Sequence, residues 1–190
     1  AKPPDPTYVE DIDGHRYEIG LIAFNGIHNL PPPGPHIAVE GSFHYRHWFG
    51  RIDLASFKLL NGSIKIPIVG DHKTTGSKYY AKTETTLKID VQAIVYANAM
   101  LDRTPDAPYV ELFWNYFCTV KPYRSWRVKV LFTREEAREA IKPYDRMAEG
   151  LIRLRTIDGL RAMHLPPNPS SCAAYGGCAH TARCNLSDAE

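Results

Sequence analysis

Two stretches in the first half of the chain alternate apolar and polar positions, and a third then switches to helical spacing. Trp48 to Leu60 and Ile64 to Lys73 carry the period-two pattern of strands, with the turn signal Asn61-Gly62-Ser63 between them. Pro67 marks an edge or a bulge in the second of these. Upstream, Tyr17 to Phe24 reads as a first strand and His36 to Phe43 as another, with Glu40 near its middle. Pro31-Pro32-Pro33-Gly34-Pro35 forces an extended connection between them.

From Thr83 the period changes. Leu87, Val91, Ile94, Val95, Asn98 and Leu101 form a helical stripe that no glycine or proline interrupts before Pro105. Gln92 and Tyr96, four apart, stand one above the other beside that stripe. Tyr109 to Thr119 and Ser125 to Phe132 predict two further strands, with a turn around Pro122. Thr133-Arg134-Glu135-Glu136 is a capping-box signature, and it opens a helix that Pro143 kinks or ends. Helical pattern resumes from Met147 to Met163, until Pro166-Pro167-Asn168-Pro169 closes it. The expectation is an α/β fold, a mixed central sheet flanked by helices. Residues 1–16 read as a tail or a truncated edge, 17–165 as the core and 166–190 as a cysteine segment.

Composition narrows the class without naming a chemistry. With 190 residues, 44% hydrophobic and 23% charged, the chain has the profile of one soluble globular domain. No apolar run approaches the roughly 18 residues of a membrane span, and no basic-then-apolar stretch opens the sequence. A net charge of +2 is too small to argue nucleic-acid binding by itself. Cys118 sits in an aromatic run, where a buried free thiol is the plain reading. Cys172, Cys178 and Cys184 are evenly spaced, and a disulfide framework would leave one of them unpaired or call on Cys118. Three thiolates with His180 or His164 would instead suit zinc.

The candidate chemistry lies where the two alternating stretches meet. Asp71 and Lys73 project from one face of their strand. A two-residue Asn-Gly turn would set Asp53 opposite Gly70, on the wrong face. A three-residue loop pairs Leu60 with Ile64 and sets Asp53 opposite Asp71, with Ile64, Ile66 and Ile68 sharing a face with Ile52 and Leu54. Two carboxylates and an ammonium placed so would bind a divalent metal and position a water.

The order Gly50-x-x-Asp53, Gly70-Asp71-His72-Lys73-Thr74, then Gln92-x-x-x-Tyr96 on a helix resembles the RecB-type branch of the PD-(D/E)XK nuclease superfamily. The late cysteines resemble those of its iron–sulfur members, AddB-like and phage-encoded. The resemblance runs from about Glu40 to Cys184 and implies a restriction-endonuclease-like core. It also implies an acid or a histidine on a helix upstream of the sheet, together with a first cluster cysteine there. The pattern before Glu40 predicts no such helix, and no cysteine precedes Cys118.

The resemblance further implies roles. Asp53 and Asp71 would ligate Mg2+ or Mn2+, with the His72 backbone carbonyl, and Glu40 as a candidate further acid. Lys73 would orient or help deprotonate the attacking water, and Gln92 and Tyr96 would contact the substrate. Cys172, Cys178 and Cys184, with Cys118 as a fourth ligand, would hold a 4Fe-4S cluster; zinc with His180 is the alternative. The implied function is Mg/Mn-dependent hydrolysis of DNA at ends or on single strands, in recombination, repair or phage genome processing. It would act in the cytoplasm, alongside a helicase or recombination partner and away from any membrane. A binding or structural module with a metal-stapled tail is the alternative, and an enzyme on a small phosphorylated substrate is a third reading. Each signal has a plainer rival. An Asp-x-Lys on a strand is more often a surface ion pair worth about 0–1 kcal/mol. Lys78, Lys82, Lys88, Arg124, Arg127 and Lys129 suit phosphates or any solvated face, and Tyr79 and Tyr80 suit base stacking or rim packing.

Overall fold

The computed structural model describes residues 8–10, 16–31 and 37–155. Its first elements are a short antiparallel ribbon, β1 (Tyr8–Glu10) with β2 (Arg16–Glu18), and helix α1 (Ile19–Gly26), followed by a 3-10 turn over Ile27–Asn29. The expected strand over Tyr17 to Phe24 is therefore a helix for most of its length. Ile19, Ile22, Ala23 and Gly26 fall at i, i+3, i+4 and i+7, so the same apolar run satisfies helical spacing. Ile22 is buried, and Gly26 ends the helix so close to the sheet that a Cβ there would lie 2.0 Å from the Phe117 ring.

Five strands form one mixed sheet in the order β3-β4-β5-β6-β7: Ala38–Tyr45, Trp48–Leu60, Ile64–Thr75, Tyr109–Cys118 and Ser125–Thr133. Neighbours are antiparallel except β5 and β6, which are parallel. A parallel pair needs a crossover, and here it runs through α2 (Glu84–Lys88) and α3 (Val91–Arg103). Leu60 pairs with Ile64 across a three-residue loop whose Asn61 and Gly62 have φ of 52° and 74°. Asn and Gly are the residues that adopt this left-handed region at least cost. Pro67 lies one position before the β5–β6 ladder begins at Ile68↔Glu111, so its missing N–H takes no bond from that ladder.

The expected single helix after Thr83 is two. Thr83 caps α2 in a capping box with Thr86, and Asp90 caps α3 by accepting the Ala93 N–H at 3.1 Å. Asp90 reads as a polar position in a continuous stripe, yet its short carboxylate competes for backbone N–H groups and starts a new helix instead. Residues 93–101 of α3 are buried on every side. Buried Asn98 of α3 donates to the carbonyls of Ile94 and Ala137, tying α3 to α4 (Arg134–Arg155). Helix α4 opens with the expected capping box: Glu136 accepts the Thr133 N–H at 2.8 Å, and Thr133 Oγ1 accepts the Glu136 N–H at 3.2 Å. Pro143 lies inside this helix and does not end it.

Helices α3 and α1 lie on opposite faces of the sheet. Tyr96 of α3 packs near Trp114, whereas Gly26 of α1 meets Phe117, and these two β6 residues have opposite parity. The core under α3 includes Ile52, Ile66, Val69, Leu112, Trp114 and Tyr116, while Leu54 is buried outside that cluster. The expected single face for Ile52 and Leu54 is thus divided between the two sides. Internal contacts divide the chain into Ala1–Asp145, which holds the sheet, and Arg146–Glu190, whose described residues 146–155 are the last turns of α4. Among the described residues no helix is long and apolar enough to cross a membrane.

Candidate active site

The β4–β5 ladder is regular from Leu60↔Ile64 to Leu54↔Gly70 and stops there. Asp53 and Asp71 each lie one residue past this last pair, on β4 and β5 respectively. Continuing the ladder would give His72 a partner in the β4 backbone. Instead the Asp53 carboxylate accepts the His72 N–H at 2.8 Å. The strands fork at this point, with one acid on each branch. The N–H and C=O of a strand residue leave on the same side, so the His72 carbonyl also faces the fork.

Gly70 leaves room on the face of β5 for the ring of Phe113, its partner on β6. A Cβ there would come 2.4 Å from the Phe113 ring, which occupies the space instead. One residue on, Asp71 is only 2% exposed, unlike the surface carboxylate of a routine strand ion pair. Burial pushes its pKa up, the hydrogen bond and charge of Lys73 pull it back, and the charge of Asp53 raises it again. Lys73 Nζ lies 2.7 Å from Asp71 Oδ2 and donates to Gln92 Oε1 at 3.1 Å.

Helix α3 closes the network from above the sheet. Gln92 Nε2 donates to Asp71 Oδ1 and to Tyr96 Oη, both at 2.9 Å. Tyr96 donates in turn to the Arg51 carbonyl at 2.6 Å. Its ring is fixed edge-on against Phe43 at 5.4 Å. Burial raises the Tyr96 pKa, Gln92 opposes that, and the charges of Asp71, Asp53 and Glu40 raise it further. The hydroxyl therefore stays protonated and donates. Asp71, Lys73, Gln92 and Tyr96 are thus joined in one network, and Asp53, on the His72 N–H, is near enough for its charge to act on Asp71 and Tyr96.

Glu40 joins its margin. The pairs Val39↔Leu54 and Gly41↔Ile52 put it opposite Asp53 on the other side of β4. It is exposed and has φ 53°, a left-handed conformation that costs a residue with a side chain about 1–3 kcal/mol.

The donor set suits a hard cation. Two carboxylates and a carbonyl are oxygen ligands, and Mg2+ takes one or two carboxylates while keeping several waters. Asp71 Oδ2 is buried and meets the Lys73 ammonium at 2.7 Å, which leaves a carboxylate lone pair for a ligand. Among the described residues no three or more His, Cys, Asp or Glu side chains are grouped to hold an ion.

The expected cysteine site is not reached by the structure. Cys172, Cys178, Cys184, His164 and His180 lie outside the described residues. Cys118, at the end of β6, is a half-buried free thiol, with Sγ 3.3 Å from the Val120 carbonyl. Among the other candidates, Lys82 pairs with Asp90, Lys88 pairs with Glu136, and Arg127 lies over the Phe113 ring on the α1 side.

Sequence reasoning missed two parts of this neighbourhood. One is the upstream helix α1, whose helical spacing was available in Ile19, Ile22 and Ala23. The other is the Arg51 carbonyl that anchors Tyr96, and a backbone acceptor leaves no residue-type signal. No protein-family model matches the chain, and no curated protein matches it.

Proposed function

We propose that this chain is a Mg2+- or Mn2+-dependent nuclease of the RecB type, hydrolysing phosphodiester bonds of DNA at ends or on single strands. The observation that carries the reading is the fork in which Asp53 and Asp71 face each other while Lys73 and Gln92 share the same carboxylate. An acid pair, an ammonium and an amide meeting at one partly open point is more than a fold requires.

Asp53, Asp71 and the His72 carbonyl would hold the ion, with Glu40 nearby as a further acid. When bound, the ion polarises the phosphate and acidifies water, the Lewis-acid route to hydrolysis. Lys73, 36% exposed, is placed to orient the attacking water and to offset charge developing on the phosphate oxygens. Gln92 holds Lys73 and Asp71 in register, its oxygen accepting from Lys73 and its amide N–H groups donating to Asp71 and Tyr96. Tyr96 fixes the fork by gripping β4 at Arg51. The reading extends to a restriction-endonuclease-like core, a DNA partner, and work alongside a helicase or recombination protein. An iron–sulfur cluster or zinc at the late cysteines belongs to the same reading.

The test is cleavage of end-labelled single- and double-stranded DNA with Mg2+, Mn2+ or chelator. Cleavage that needs the metal and disappears in a folded Lys73→Ala variant is expected. Intact DNA under all metal conditions would favour the binding-module alternative.

A further inference from the structure

Beyond Lys73, on the same face of the sheet, the strands end in a second feature. Lys73 lies opposite Tyr116, and Tyr116 lies opposite Trp126. Trp126 is therefore about 10 Å from Lys73, two interstrand spacings. The two rings stack at 5.5 Å and 14°. Trp126 lines a pocket of about 430 Å³ with Gly76, Lys78, Cys118, Lys121 and Arg124.

Lys78, Lys121 and Arg124 make the pocket basic, and among the described residues no acidic side chain lines it. Lys121 pairs with Glu18 at 3.0 Å. Lys78 and Arg124 are exposed and have no carboxylate partner among the described residues. Lys78 also begins the 3-10 turn Lys78–Tyr80, which holds Tyr79 and Tyr80 outward at 88% and 77% exposure. Their rings meet edge to face, 5.4 Å apart.

This turn is tied at both ends. Ser77 Oγ accepts the Tyr79 N–H at 3.2 Å, and the Thr75 hydroxyl donates to the Ser77 carbonyl at 2.8 Å. On the far side, the Lys82 N–H donates to Tyr116 Oη at 3.0 Å. Two large aromatic rings are thus held in water by a braced turn, beside Lys78 and Arg124, two cations with no carboxylate partner among the described residues. Exposed aromatic faces with adjacent positive charge are how proteins take an unpaired polynucleotide, because every base offers a π-face once it is not in a duplex.

We propose that this pocket and turn form a subsite for single-stranded nucleic acid, in which Lys78 and Arg124 take backbone phosphates and Tyr79, Tyr80 and Trp126 stack bases. The inference rests on the phosphodiester-cleaving reading of the fork, since it places the strand that Lys73 would meet.

The test is binding of a fluorescein-labelled oligo-dT to the full chain in chelator. Two double variants are compared, Tyr79→Ala/Tyr80→Ala and Lys78→Ala/Arg124→Ala; all four side chains are exposed, so folding is spared. Each is expected to bind about tenfold more weakly or worse. Each phosphate contact on a single strand contributes about 0.7 to the salt slope. The basic variant should therefore flatten that slope by about 1.4, and the aromatic variant should leave it unchanged. Unlabelled duplex should compete poorly. The site is overturned by unchanged affinity in both variants, by duplex competing as well as single strand, or by no binding to the wild type. Because the assay contains no metal, a chain that binds in this way but never cleaves loses the nuclease reading and keeps the subsite. A chain that cleaves with both variants binding normally loses only the subsite.

Discussion

Asp53 takes the backbone N–H of His72 at 2.8 Å, where the β4 backbone would otherwise continue the ladder. One side chain therefore both ends the pairing of β4 with β5 and stands across from Asp71. Opening a sheet leaves backbone groups without partners, and a carboxylate at that position satisfies one of them while keeping its other oxygen for a ligand.

The buried charge on Asp71 is a cost to the fold. Burial pushes its pKa up, so keeping it ionised at neutral pH opposes folding. Asp71→Asn keeps an oxygen for the Gln92 amide and removes the charge. Its thermal midpoint should equal or exceed that of the wild type, while DNA cleavage is lost. A midpoint lowered by several degrees would mean that the Lys73 pair outweighs the burial.

Gly70 is required by Phe113. A Cβ 2.4 Å from the ring must displace it, and overpacking of this kind costs about 1–3 kcal/mol. Gly70→Ala should be destabilised by that amount in urea unfolding, and Phe113→Leu in the same chain should recover part of it. Equal losses with and without Phe113→Leu would place the strain elsewhere.

Tyr96 holds the fork through a single hydrogen bond to the Arg51 carbonyl. Tyr96→Phe removes the donor and leaves a carbonyl short of a partner, a loss of about 1–3 kcal/mol. Amide exchange should rise at residues 51–53 and 71–73 more than in the rest of the sheet. Uniform exchange across the sheet would show that the hydroxyl does not hold the strands.

Glu136 gives a pH signature. The hydrogen bond from the Thr133 N–H, then Lys88, holds its pKa below the ordinary carboxylate value. A depressed carboxylate stabilises the fold above its unfolded pKa, and that contribution fades as pH falls through the folded one. The residue is exposed, so Glu136→Ala should cost at most about 1 kcal/mol at neutral pH. Stability curves of the two proteins should converge as the carboxylate protonates. A gap independent of pH would assign the effect to helix propensity alone.

Much of this site is written in local pattern. The alternation in Trp48 to Leu60 and Ile64 to Lys73, joined by Asn61-Gly62-Ser63, defines both strands. Requiring Asp53 and Asp71 to share a position then selects the three-residue loop. Gln92 and Tyr96, four apart, meet as their spacing requires. What was hidden depends on competition between periods or on tertiary contact. Residues 19–26 satisfy both strand and helix spacing, and packing of Ile22 and Gly26 on the sheet decides for the helix. Asp90 interrupts an otherwise continuous stripe because its side chain caps the next helix. The division of Ile52 from Leu54 follows from the β4 backbone, which no residue type announces.

The most direct measurement is Mn2+ binding followed by electron paramagnetic resonance on the wild type and on Asp53→Asn. If Asp53 and Asp71 form one divalent-cation site across the fork, the wild type binds a Mn2+ ion that Asp53→Asn fails to retain, with the fold intact by circular dichroism. Equal binding by the two proteins, or none by the wild type, would contradict it.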